Sequence, residues 1–148
     1  MAKMKPQRIT SINNTIDELK AEQEIILKNN TNITLVDIDL IHELKLKNDI
    51  LMHNRISYSK SKLLELAENI SKLAKEGTGI LGTGLLNPVM LRKKDGVLER
   101  IHGENRIRAL KLNGSKQVPA IILENVSDEL ARFMRSSENL NREDLNTY

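Results

Sequence analysis

Between Pro88 and Gly114 the chain reads as strand, tight turn, strand, glycine, helix, and no other stretch constrains the fold as strongly. Pro88 to Arg92 is a short strand-like run. Lys93-Lys94-Asp95-Gly96 carries the Asp-Gly signal of a two-residue hairpin, and Val97 to Ile101 supplies the returning strand. Gly103 then breaks the pattern. Asn105 to Leu112 follows with helical spacing, and Asn113-Gly114 ends it.

The flanks extend this unit in both directions. Upstream, Leu63, Leu66, Ala67, Ile70, Leu73 and Ala74 recur at three- and four-residue steps, which predicts a helix with Ser59 as its N-cap and Gly77 as its stop. Gly77 to Gly84 holds four of the seven glycines. It reads as a flexible loop, either a plain linker or a segment approached closely by a ligand. Leu35 to Ile41 alternates in its middle and predicts a half-buried strand. Residues 42–58 read as a short helix and then a loop. Downstream, Val118 to Leu123 is an apolar run of strand length. A last helix is expected from Ser127 to about Ser136, with Asp128 and Glu129 in its first turn. Residues 1–32 form a polar N-terminal arm, with a helix over about Ser11–Lys28 whose apolar residues pack on the domain, on a second copy, or on a partner. Residues 33–148 then make one domain. The order helix, strand, helix, two strands, helix, strand, helix specifies a small α/β or α+β domain with a mixed sheet.

Composition removes several function classes. The 148 residues include no Cys, which excludes disulfides, Cys-based zinc sites and a cysteine nucleophile. Aromatic residues make up 2%, too few for a stacking platform on single-stranded nucleic acid. No apolar run is long enough for a bilayer span, and the N-terminus lacks the apolar stretch of a signal peptide, so a cytoplasmic protein is expected. A net charge of +3 tolerates a polyanionic partner without demanding one.

Candidate chemistry concentrates after the second strand. In Ile101-His102-Gly103-Glu104-Asn105-Arg106-Ile107-Arg108, a glycine turn opens a helix whose first turns carry two arginines. Unpaired N–H groups at a helix start, a glycine allowing close approach and the guanidinium groups of Arg106 and Arg108 suit a phosphate. Glu104 paired with Arg108 on a solvated helix face is the competing account. Glu138 and Asn139 offer hard oxygen ligands of the kind Mg²⁺ takes beside phosphate, and Arg142 adds a cation; a solvated polar helix end would look the same. The three histidines have no metal-ligand spacing, and only His102 adjoins the candidate phosphate loop.

Four segments, in order, resemble the N-terminal domain of ParB, the centromere-binding partition protein of bacterial chromosomes and plasmids. Leu63-Leu64-Glu65-Leu66-Ala67-Glu68-Asn69-Ile70 matches the helix that precedes the family's Gly-Leu element. Gly84-Leu85-Leu86-Asn87-Pro88-Val89 resembles Gly-Leu/Ile-Leu-Gln-Pro-Ile/Val. Gly103-Glu104-Asn105-Arg106-Ile107-Arg108-Ala109 is similar to Gly-Glu-Arg-Arg-x-Arg-Ala. Glu138-Asn139-Leu140-Asn141-Arg142-Glu143-Asp144-Leu145 is similar to Glu-Asn-Leu-Gln-Arg-x-Asp-Leu. The resemblance covers roughly residues 35–146. It departs at Asn105, where the family has arginine, at Asn87, where it has glutamine, and in the longer Gly77–Gly84 loop. The family's Gln-Pro-Arg element survives faintly as His53-Asn54-Arg55.

The resemblance implies a ParB/sulfiredoxin-like α+β fold, a mixed sheet flanked by helices and preceded by a helical arm. It further implies a site for CTP and Mg²⁺. By position, phosphate contacts fall to Gly103, Glu104, Arg106, Arg108, Asn139 and Arg142; Asn105 belongs to the same cofactor-binding segment but removes a charge there. Gly84, Leu85, Asn87 and Pro88 line the cytidine end. Metal binding and slow CTP hydrolysis fall to Glu138 and Asn139. The implied protein is a homodimeric clamp that slides on DNA, reached through domains outside this chain or by the clamp itself. It works with a ParA-type ATPase through residues 1–32, and sits on a nucleoid or plasmid. Nothing here resembles a helix-turn-helix, so sequence-specific DNA reading is not assigned to these residues. The alternatives are a ParB-fold enzyme, either a nuclease or a small-molecule kinase, a ParB-like transcriptional regulator, and an interaction module without nucleotide binding, to which Asn105 points; sulfiredoxin chemistry needs a Cys this chain lacks.

Overall fold

A computed structural model describes residues 4–46 and 58–140, with side chains over 15–46 and 58–136. The chain divides into two compact units, Met1–Thr31 and Asn32–Tyr148. The first is the helix α1 (Met4–Asn29), which starts well before Ser11. Its last turn closes where the Asn30 amide donates to the Ile26 carbonyl at 2.8 Å.

In the second unit the order is β1 (Thr34–Asp37), β2 (Ile41–Glu43), α2 (Lys60–Lys75), β3 (Val89–Lys94), β4 (Val97–His102), α3 (Glu104–Leu112), β5 (Gln117–Glu124) and α4 (Asp128–Leu140). The five strands form one sheet in the order β1-β5-β3-β4-β2. β1 with β5 and β3 with β4 are antiparallel; β3 with β5 and β2 with β4 are parallel. The fold is therefore α+β with a mixed sheet flanked by helices.

One expected strand is two. Leu35 to Ile41 does not run through: a 3₁₀ turn at Ile38–Leu40 separates β1 from β2. The two pieces lie on opposite edges of the sheet. Ile38 is buried while Asp39 and Leu40 are exposed, so the turn keeps one apolar anchor and sends the chain across the end of the sheet. Of the short helix expected within 42–58, Leu44–Leu46 is irregular and 47–57 lie outside the described residues.

Local chemistry explains the remaining elements. The Ser59 hydroxyl accepts from the Lys62 amide at 3.3 Å and caps α2. Leu63, Leu66, Ala67 and Ile70 of α2 pack with Ile107 and Leu110 of α3 over Val36, Val89, Leu91, Val118 and Ala120. Each large apolar side chain so buried contributes roughly 1.5–3 kcal/mol against exposure. Asp95 and Gly96 turn the β3–β4 hairpin with φ of 52° and 80°, the left-handed pair that suits strand twist. Pro119 sits in an interior strand, but β3 begins pairing with β5 only at Ala120, so the missing N–H precedes that ladder. The Ser127 hydroxyl accepts from the Leu130 amide at 3.1 Å and starts α4, which packs along β4.

The Gly77–Gly84 segment is folded rather than a plain linker. Ile80 N–H donates to the Leu85 carbonyl at 2.8 Å and Gly84 N–H to the Thr78 carbonyl at 3.0 Å. The Thr83 hydroxyl donates to the Ile80 carbonyl at 2.7 Å. Gly84 adopts φ 86° against the Ile70 carbonyl, leaving no room for a side chain. The loop thereby fixes where Leu85, wholly buried, enters the core and where Asn87–Pro88 begins.

Candidate anion-binding site

β4 does not alternate to its end. Leu91 pairs with Arg100, but Met90 pairs with His102, so Ile101 is an extra residue in a β-bulge. Residues opposite one another share a face, and Met90 and Leu91 lie on opposite faces. The bulge therefore turns His102 off the Arg100 face and onto the α4 side, where Arg92 already meets Asp128 at 2.8 Å. Gly103 follows with φ 111°, and a Cβ there would lie 2.5 Å from Val89 Cγ1. Both the angle and the contact require glycine. From this corner α3 begins.

The first residues of α3 point in different directions. Asn105 is 7% exposed, and its Oδ1 accepts from the Tyr58 N–H at 3.0 Å. The residue that stands where the family pattern has arginine thus tethers the chain entering α2. Arg106 is 8% exposed and its Nη1 donates to the carbonyls of Asn87 at 3.2 Å and Pro88 at 2.9 Å. One guanidinium so binds the Gly84–Val89 and Gly103–Ala109 segments together. Glu104 and Arg108 take another flank. Arg100 donates to Glu104 at 3.1 Å and to both Glu43 oxygens at 2.7 Å, and Arg108 lies 3.9 Å from Glu104. These residues line a groove of about 400 Å³ between β2 and α3, floored by Ile38 and Ile41. The structure brings Arg106 to Asn87 and Pro88, and joins Glu104 to Arg108 by the i, i+4 contact that competes with phosphate.

Two arginines that frame this region gave no signal as site residues. Arg135 of α4 is buried; its Nε donates to the Ile101 carbonyl at 2.8 Å, and its Nη2 to the Arg100 carbonyl. β2 pairs β4 only as far as Arg100, so Arg135 meets β4 where that ladder ends. This contact sets α4 beside the corner, and Glu138 and Asn139 lie one helical turn farther along it. Arg92 is wholly buried between Glu99 and Asp128, each at 2.8 Å, and also donates to the Val126 and Lys45 carbonyls. The Asp-Gly turn was the available signal, since a two-residue turn at 95–96 makes Arg92 and Glu99 direct partners. Arg142 and His53-Asn54-Arg55 lie outside the described residues, as do the side chains of Glu138 and Asn139.

The electrostatics of the corner register on one titratable group. His102 has its pKa driven from 6.5 to about 3, first by burial and then by the charges of Arg106, Arg135 and Arg100. Its Nδ1 is sequestered with no hydrogen-bond partner among the described residues. No group of three His, Asp or Glu side chains among the described residues converges as metal donors. No helix there is long and apolar enough to cross a membrane.

The model of the ParB N-terminal domain matches residues 26–140. The chain belongs to this family. It is 41% identical over 81 residues to the probable plasmid-partitioning protein ParB of Thermus thermophilus, covering 55% of this chain and 26% of that protein. It is 42% identical over 73 residues to the stage 0 sporulation protein J of Bacillus subtilis, covering 49% and 26%. The chain thus spans about a quarter of these curated relatives. Among solved structures it is similar to C-terminally truncated ParB from Caulobacter crescentus complexed with CTP-gamma-S, with a TM-score of 0.57, 22% identity, and coverage of 78% of this chain and 56% of that one. Arabidopsis thaliana sulfiredoxin shares the fold, with a TM-score of 0.50, 21% identity, and coverage of 70% and 96%. At these identities the likeness is one of fold.

Proposed function

We propose that this chain is the nucleotide-binding N-terminal part of a ParB-type DNA partition protein, serving plasmid or chromosome segregation. Residues 33–148 are its CTP-Mg domain, and nucleotide binding switches a homodimeric clamp that slides on DNA. The observation that carries the reading is the Arg106 bridge. It fastens the Asn87–Pro88 segment to the start of α3, directly after the glycine corner at the end of β4.

Each residue has a definable task. The positive N-terminal end of α3 faces the phosphate oxygens, and Gly103 lets them approach. Arg106 holds the base end and the phosphate end in register while placing its charge between them. Asn87 and Pro88 line the cytidine together with the backbone of Gly84 and Leu85, whose side chain is committed to the core. Arg108 and Arg142 add charge, with Glu104 orienting Arg108. Mg²⁺ needs only one or two protein oxygens beside phosphate, and Glu138 and Asn139 supply that donor type from the end of α4. When bound, the ion neutralises phosphate charge and supports slow hydrolysis. The Caulobacter relative crystallised with a CTP analogue, and a second structure of it with the centromeric parS site, support nucleotide and DNA as partners here. A ParA-type ATPase is the proposed partner of residues 1–32.

Calorimetric titration with CTP, ATP, GTP and UTP, with and without Mg²⁺, tests the reading. Selective CTP binding is expected. Binding of ATP with transfer to an acceptor in the absence of DNA would replace the switch by a kinase, and no binding by any nucleotide would overturn it.

A further inference from the structure

Two helices carry apolar residues at helical spacing, and their stripes differ in width. In α2 the stripe is Leu63, Leu66, Ala67, Ile70, Leu73 and Ala74, three positions in every seven. Its buried members pack over the sheet, a broad surface that needs a broad stripe. In α1 the steps are strictly three and four: Ile9, Ile12, Ile16, Leu19, Gln23 and Ile26. A strip of two positions in seven, repeating every 3.5 residues, matches one facing helix and not a sheet. From Ile9 to Asn29 only Ile25 and Leu27 are large apolar residues off that strip.

α1 also needs packing. Ile9 to Ile16 consists of Ile, Thr, Ser and Asn alone, all weaker helix formers than Ala, Leu or Lys. A helix of 26 residues that opens this way is held by contacts along its seam more than by propensity. It belongs to the unit Met1–Thr31, the domain core is drawn from the other unit, and Ile16 is 43% exposed.

With heptad positions lettered a to g, Ile9, Ile16 and Gln23 are a, and Ile12, Leu19 and Ile26 are d. Asn30 is the next a, and its amide closes the helix on the Ile26 carbonyl, so seam and helix end together. Gln23 selects the partner. Against an apolar residue its amide is desolvated and unpaired; against the same residue of a second copy, the two amides bond each other. That match requires parallel chains in register, because an antiparallel pair using the same six positions sets Gln23 against Ile12. The flanks agree: in a parallel pair Thr15 meets Lys20 and Glu22 meets Leu27, with no like charges opposed. A third helix would bury the Gln23 amides that two strands leave open to water at one edge.

We propose that α1 pairs with α1 of a second copy of this chain as a parallel, in-register two-stranded coiled coil. The contact is independent of the nucleotide reading. It leaves Asp17, Glu18 and Glu24, at positions b and c, for the ATPase contact proposed above.

Sedimentation equilibrium of the full chain without nucleotide tests it. The wild type is expected to pass from monomer to dimer as concentration rises. Ile16→Glu puts a charge into the seam of both copies and should weaken the dimer by about a hundredfold or more. Ile25→Glu, at a position off the seam that is 60% exposed, should stay within about threefold of the wild type. Because Ile16→Glu can unwind α1 itself, the pairing is also read with the seam nearly intact. The chain has no Cys, so Leu19→Cys supplies a sole thiol, and mild oxidation should link two copies through it. Ile25→Cys should link far less. A monomer at every concentration, a trimer, a dimer that survives Ile16→Glu or weakens equally with Ile25→Glu, or equal linkage at the two thiols would each overturn the proposal. A monomer that binds a ParA-type ATPase through Ile16 would overturn it too, and give the seam to that partner.

Discussion

Arg106 and Arg108 are two residues apart and chemically identical, yet their surroundings assign them different weights. Arg106 is nearly buried and joins two segments through main-chain carbonyls, whereas Arg108 is 42% exposed and reaches only a 3.9 Å pair with Glu104. A charge-assisted hydrogen bond is worth roughly 1.5–3 kcal/mol, so Arg106→Ala is expected to weaken nucleotide binding by about ten- to a hundredfold. Exposed pairs contribute about 0–1 kcal/mol, and Arg108→Ala is expected to cost no more than about fivefold. Calorimetry on both variants, beside their melting temperatures, checks the ranking; a larger loss for Arg108→Ala would contradict it. His102 carries a prediction of its own. Its folded-state pKa of about 3 lies below the ordinary 6.5, so the unfolded chain takes up a proton first as pH falls. The stability from keeping this ring neutral is fully present above pH 6.5 and drains away between 6.5 and about 3, with a slope of at most ~1.4 kcal/mol per pH unit. Urea melts at pH 7.5 and 5 should show a shallower acid loss in His102→Gln than in the wild type. Parallel losses would mean that the ring does not resist protonation.

At the scale of elements, the site is assembled by ties between segments far apart in sequence. Asn105 links the start of α3 to Tyr58 at the entry to α2, and Arg135 ties α4 to the end of β4. Replacing Asn105 by Ala leaves the Tyr58 N–H without this acceptor and should destabilise the domain by about 1–3 kcal/mol. Asn105→Arg, which restores the family pattern, should destabilise it as well, since the position is 7% exposed. Chemical denaturation measures both, and a stable Asn105→Arg protein would show that the tether is dispensable. These ties also explain what the sequence revealed and what it concealed. The β3–β4–α3 unit, α2, β5 and α4 were legible because hairpin, capping and periodic signals are local. The split between β1 and β2 was not, because Ile38 keeps the apolar spacing of a strand while its backbone turns. The bulge at Ile101 was equally hidden, since a one-residue register shift between β3 and β4 is a property of the pair. Motif resemblance picked out Arg106, but only geometry separates its bridge from the flank occupied by Glu104 and Arg108.

For the whole molecule, the partition into Met1–Thr31 and Asn32–Tyr148 makes the arm separable from the domain in a testable way. Every tie described for the site lies within the second unit: Arg106 to Asn87 and Pro88, Arg135 to β4, Asn105 to Tyr58. The apolar core over which α2 and α3 pack is likewise drawn from residues after Thr31. In α1, by contrast, Ile16 and Ile25 remain exposed, and the Asn30 to Ile26 bond that closes its last turn lies within the first unit. Removing residues 1–31 is therefore expected to shift the melting temperature by less than about 4 °C, the change that 1 kcal/mol produces in a domain of this size. CTP affinity should stay within about twofold, less than the tenfold that 1.4 kcal/mol would produce. If the arm is where a ParA-type ATPase docks, the same deletion should abolish stimulation of that ATPase while sparing the nucleotide site. Loss of CTP binding together with the arm would instead make α1 part of the nucleotide-binding unit. Unchanged ATPase stimulation would move the ParA contact onto the domain itself.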